Sequence, residues 1–127
     1  MNRPISTQTH GIIDYTWAAS AAAVCETLAG APRIKSLLRG ASGAATGSSA
    51  MTNYEAGIVR VMPMKGHLAL DVAMCAMLLA APLFVPAAER RYAAIPIAFG
   101  AVGLLTALLT QTQSPTERRA ALRSATI

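Results

Sequence analysis

Apolar and polar residues alternate in blocks along this chain, and the blocks predict four helical segments in two pairs. Residues 1–9 are polar, and Ser6, Thr7 and Thr9 offer N-cap oxygens for a helix beginning near His10. Residues 11–31 are mostly apolar, interrupted by Asp14 and Glu26. Asp14 inside the apolar run argues for a mature helix rather than a signal peptide, although Ala29-Gly30-Ala31 resembles a cleavage site. Pro32 to Lys35 reads as a short basic loop. The run of Gly, Ala, Ser and Thr that follows to Asn53 reads as either linker or helix. Residues 54–66 form a mixed connector. The block 67–85 is the most apolar, with no charge between Asp71 and Glu89, and Pro82 and Pro86 mark its far end. Residues 93–110 are apolar again, and a polar, basic tail follows from Gln111.

An internal repeat assigns the doubtful second segment. Gly-Ala-x-Gly-x-x-Thr occurs at 40–46 and again at 100–106, an offset of 60 that extends to Thr52 against Thr112. His-x-x-x-Asp occurs at His10/Asp14 and at His67/Asp71, an offset of 57, and these are the only two histidines. Residues about 10–53 and 67–113 thus read as two copies of one unit within a single domain, joined by the connector 54–66 and followed by the tail 114–127. The expected fold is all-α. Two crossings per copy return the chain to its starting side, which predicts a four-helix transmembrane bundle of two parallel two-helix repeats.

Composition strengthens that expectation. The chain of 127 residues is 54% hydrophobic but only 13% charged and 5% aromatic, against roughly a quarter charged for a typical soluble domain. The net charge of +5 comes from Lys and Arg in short clusters between apolar segments. Such placement suits the flanks of membrane helices and anionic headgroups, with both termini on the cytoplasmic side of a bacterial inner membrane. It predicts a lipid bilayer as partner and no nucleic acid, since no basic stripe interleaved with aromatics occurs. Cys25 lies 15 residues past its histidine and Cys75 lies 8 past its own. The difference is roughly 10 Å of depth at 1.5 Å per residue, too far for a disulfide.

The paired His-x-x-x-Asp motifs carry the candidate chemistry. Spacing i, i+4 places both side chains on one helical face, and the repeat places His10/Asp14 and His67/Asp71 at equal depth. Two imidazoles and two carboxylates suit zinc or iron, with Glu55 and Tyr54 as possible further ligands from the connector. A haem held by His10 and His67 is a second reading. A third, metal-free reading is a hydrogen-bonded His/Asp clasp between the repeats, with Arg60 as a possible member. The leading functional expectation is a non-enzymatic small membrane protein, either a homo-oligomer or a subunit of a membrane complex. A metal- or haem-binding redox or hydrolytic protein is the alternative, and a proton- or ion-coupled transporter or channel is the third.

Three stretches together resemble a known family: His10-Gly11-x-x-Asp14-Tyr15, then Asn53-Tyr54-Glu55-x-Gly57, then Pro63-Met64-x-x-His67-Leu68-x-Leu70-Asp71. They resemble the small bacterial integral membrane proteins with SPW repeats. The resemblance implies two paired-helix units in a membrane and no established activity. The Ser-Pro-Trp signature itself is absent: Ala81-Pro82-Leu83 stands in the second copy and Val24-Cys25-Glu26 in the first.

Overall fold

The computed structural model describes residues 2–126. It is all-helical: five α-helices, two short 3-10 turns and no strand among the described residues. The helices are α1 Thr7–Glu26, α2 Pro32–Met51, α3 Met64–Leu79, α4 Ala94–Leu109 and α5 Pro115–Ser124; the 3-10 turns Ala81–Leu83 and Ala87–Tyr92 join α3 to α4. Helix α1 packs chiefly on α2, and α3 on α4. The core between them is small-residue rich: Ala18, Ala21, Ala41 and Ala45 are buried with Ile34, Leu38, Leu78 and Trp17.

Local chemistry explains the boundaries. Ser6 caps α1, its side chain accepting from Thr9 N–H at 3.1 Å. Pro32 opens α2 at a position where its missing N–H costs nothing, so the expected basic loop 32–35 is instead the first turn of a helix. The Gly/Ser/Ala run is helical throughout. Helix α3 stops at Leu79 because Pro82 cannot donate to the next turn, and the chain tightens into the 3-10 turns. A second device holds this end. Glu89, 4% exposed, accepts the backbone N–H groups of Arg33 (3.0 and 3.2 Å) and Ile34 (3.0 Å). A carboxylate from the α3–α4 connection thus serves the orphan donors and the positive dipole end of α2.

The membrane expectation does not survive. No helix among the described residues is long and apolar enough to cross a membrane. Helices α1 and α2 have 20 residues each, but α1 carries Asp14 and Glu26, and α2 carries three cations among Gly, Ser and Thr. Helices α3 and α4 are more apolar but have 16 residues each, roughly 24 Å of rise against a hydrocarbon core of about 30 Å. The apolar block 67–85 overstated the helix because it runs through the Pro82 break. The transmembrane bundle, the integral membrane function, the inner-membrane localisation with cytoplasmic termini and the transporter or channel reading fall together.

The two helix pairs share backbone detail. Ile5 pairs with Thr110 and Met62 pairs with Thr52, both as isolated parallel bridges. Ile5 N–H donates to Leu109 O (3.1 Å) and Gln111 N–H to Ile5 O (2.9 Å). Met62 N–H donates to Met51 O (2.9 Å) and Asn53 N–H to Met62 O (2.7 Å). The residue leading into each pair's first helix is therefore tied to the end of the other pair's second helix. The C-caps match as well: Thr52 has φ −86°, ψ 143° and Thr110 has φ −86°, ψ 142°. These correspondences run at an offset of 57 for α1 against α3, as the histidines do, but at 58 for α2 against α4. The Gly-Ala-x-Gly-x-x-Thr match at 60 is two residues out of register. Small residues recur on several faces of both helices, so similarity among them fixes register poorly.

The polar, basic tail holds a helix of its own. Ser114 and Glu117 form a capping box that starts α5, and α5 docks back through Glu117 Oε1, which accepts from Met64 N–H at 2.9 Å. Ser114 Oγ donates to Asn53 O at 2.7 Å.

Candidate metal centre

The crossed bridges bring the first turns of α1 and α3 against each other, and their four polar side chains meet. His10 Nε2 lies 3.0 Å from His67 Nε2, 3.1 Å from Asp71 Oδ2 and 3.2 Å from Asp14 Oδ2. His67 Nε2 lies 2.9 Å from Asp14 Oδ2 and 3.2 Å from Asp71 Oδ2. All four atoms fall within 4.8 Å of one another. His10 and His67 are almost wholly buried, at 1% and 0% exposure.

Outer contacts decide which nitrogen carries which proton. Thr110 Oγ1 donates its hydrogen to Thr106 O at 2.6 Å, so toward His10 it can only accept. His10 Nδ1 lies 2.8 Å from that oxygen and is therefore the donor. Neutral His10 then presents a lone pair at Nε2, into the cluster. The 3.0 Å between the two Nε2 atoms is compatible with this, because at most one of the two can carry a hydrogen there. Asp14 accepts a further hydrogen bond from Ser49 Oγ at 2.8 Å.

Electrostatics follows from two carboxylates in a dry place. Burial alone would lower the His10 pKa, but the hydrogen bonds and charges of Asp14 and Asp71 outweigh it and raise it to about 9. Burial alone would raise Asp14, but the bonds to His10 and His67 dominate and hold it at about 2. The cluster demands positive charge at its centre, and a proton or a metal cation can supply it.

The donor set fits a metal. A tetrahedral zinc with bonds of about 2.0–2.1 Å sets its ligand atoms about 3.3 Å apart; five of the six separations lie between 2.9 and 3.2 Å, and the sixth, between the two carboxylates, is within 4.8 Å. A haem does not fit, because two nitrogens 3.0 Å apart leave no room for a macrocycle between them. Nor does Glu55 join the group; its carboxylate accepts from Thr7 Oγ1 at 2.7 Å. Arg60 is exposed on the connector. Tyr54 is adjacent rather than central. Its ring lies 5.7 Å from the His67 ring, centroid to centroid, and its fully buried hydroxyl has no hydrogen-bond partner.

Glycines make room for Tyr54 and the connector around it. A Cβ on Gly11 would lie 2.6 Å from Ala56 Cβ and 2.8 Å from Tyr54 Cε2. One on Gly57 would collide with the Thr52 carbonyl oxygen. The sequence pointed to the four converging residues but not to Thr110, Ser49 or Glu89, whose roles exist only through contacts 35 to 100 residues away in the chain. Cys25 and Cys75 are both buried free thiols, and burial pushes Cys75 up to about 12.

No known family model matches the chain, and neither the characterised proteins nor the solved structures contain a match to it.

Proposed function

We propose that this chain is a non-enzymatic metal-binding protein, built from two copies of a helical-pair unit. A divalent transition ion, zinc or iron(II), clasps the copies together through His10, Asp14, His67 and Asp71. The observation that carries this reading is the meeting of four Lewis-basic atoms at one buried point, with His10 fixed by Thr110 as the tautomer that offers Nε2. A hydrogen-bonded pair needs two such groups. Four ligand atoms, two from each helix, are the number a closed structural site uses. The cavity touching both carboxylates has about 10 Å³, one water's worth, so no substrate fits between them. The resemblance to the SPW-repeat family accords with paired-helix units and adds nothing on activity.

Elemental analysis of protein purified without chelators tests the reading. One equivalent of zinc or iron per chain, lost in His10→Ala, is the expected result. Metal-free protein that also refuses added Zn²⁺ and Co²⁺ would leave the protonated His/Asp clasp as the function of these residues. The outward apolar side chains of α4, among them Val102, Leu105 and Leu108, suit self-association, which native mass measurement reads directly.

A further inference from the structure

The centre's outer contacts are unequal on its two sides, although the two sides share one backbone plan. On α1 both ligands are held from behind. His10 Nδ1 donates to Thr110 Oγ1, and Asp14 accepts from Ser49 Oγ, each at 2.8 Å. On α3 both holds are missing. The 58-residue correspondence puts Ala107 where Ser49 stands, and alanine has no hydroxyl for Asp71. Thr52 stands where Thr110 does. Its hydroxyl donates to Ser48 O at 2.6 Å, as Thr110 donates to Thr106, yet His67 Nδ1 is left buried without a partner.

A second, independent feature lies on the same side. Between α2 and α3 runs an open groove of about 340 Å³ that reaches Asp71, with Gly40, Ala41 and Ala44 along one wall and Met74 and Met77 along the other. The small residues of α2 keep it open: a Cβ on Gly40 would meet nothing within 4 Å. Exposure of the histidines does not separate the two sides, at 1% for His10 and 0% for His67; the groove and the missing outer contacts do.

We propose that the centre is asymmetric in its exchange. His10 and Asp14 are the permanent grip, and His67 and Asp71 are the half that lets the metal pass through the α2/α3 groove. The inference rests on the metal reading above. It assigns Thr110 and Ser49 as positioning residues, and outer contacts of this kind typically change metal affinity by roughly 10- to 100-fold.

Zn²⁺ binding and release, followed with a chromophoric chelator, test it on the full chain. Ser49→Ala is expected to weaken binding roughly 10- to 100-fold. Ala107→Ser, which gives Asp71 the missing hydroxyl, is expected to slow release. Gly40→Leu plugs the groove and is expected to slow uptake and release together, with Kd unchanged; it serves alone if the buried Ala107→Ser change misfolds. Wild-type protein that takes up no Zn²⁺ overturns both the metal reading and this inference. Wild-type protein that binds Zn²⁺ while Gly40→Leu leaves both rates unchanged overturns the exchange route only.

Discussion

Raising the pH of metal-free protein removes the proton that stands in for a metal, and the cost follows from the cluster. His10 has an ordinary pKa of 6.5 and a folded pKa of about 9, raised by Asp14 and Asp71 against its own burial. At about 1.4 kcal/mol per pH unit, that is worth about 3 kcal/mol. Because the folded pKa is the higher one, the stabilisation is fully present below pH 6.5 and is lost as the pH climbs through about 9. The depressed Asp14 works in the opposite direction. Its contribution is present above its ordinary 3.8 and is lost as the pH falls toward about 2. The two describe the same contacts from either end and do not add. Urea unfolding in the presence of a chelator, at pH 6 and pH 9.5, measures the difference. The expected result is about 3 kcal/mol less stability at the higher pH. With Zn²⁺ in place of the chelator the sign reverses, because the metal competes with the proton for Nε2 and binds more tightly as the pH rises. Metal-free stability that is flat from pH 6 to 9.5 would refute the geometry of His10 between two carboxylates.

Three further outcomes are expected. Glu89→Ala strips two backbone N–H groups at the start of α2 of a buried carboxylate, which should remove about 3 kcal/mol and lower Tm by about 10 °C in thermal unfolding; Glu89→Gln, which keeps the acceptor, should lose less. Gly11→Ala forces its methyl against Ala56 and Tyr54 and should destabilise by about 2 kcal/mol by overpacking, with a change in Tyr54 fluorescence or near-UV dichroism reporting the displaced ring. Tyr54→Phe deletes a buried hydroxyl without a partner, so metal-free protein should unfold at the same Tm or higher, the reverse of the usual loss when a buried polar group is removed.

The parts legible in the chain were those written in short-range pattern. The two His-x-x-x-Asp motifs needed only helical spacing and their recurrence at 57 to be placed on matching faces, and the structure brings all four residues together. Ser6 as a cap was equally local. The α5 helix was legible and overlooked: Ser114-Pro115-x-Glu117 is a capping box with proline at the first helical position. The spanning helices were overread because hydropathy counts side chains, while length depends on where the backbone stops, and Pro82 stops α3 well inside the apolar block. The repeat was visible, but its register in the second helices was not, because the matched residues were glycine and alanine. Backbone features fixed it: the twin caps at Thr52 and Thr110 and the crossed bridges beside them.

That crossing is what makes four modest residues a site. Neither helix pair holds a complete ligand set, because α1 supplies one histidine and one aspartate and α3 the other two. The bridges tie Ile5 to the end of α4 and Met62 to the end of α2, so each motif begins five residues after one anchored to the opposite pair. The same ties bring Thr110, from the end of α4, behind His10 on α1. A cation at the centre would therefore draw together elements already crossed in the backbone, and its binding free energy would appear as stability of the pairing rather than as chemistry on a substrate. The differences between the copies then bear on how firmly each half holds. The two helix pairs carry matching motifs, and two differences behind them, Ser49 against Ala107 and a partner for Nδ1 at His10 but not at His67, make the α1 half of the proposed centre the firmer one.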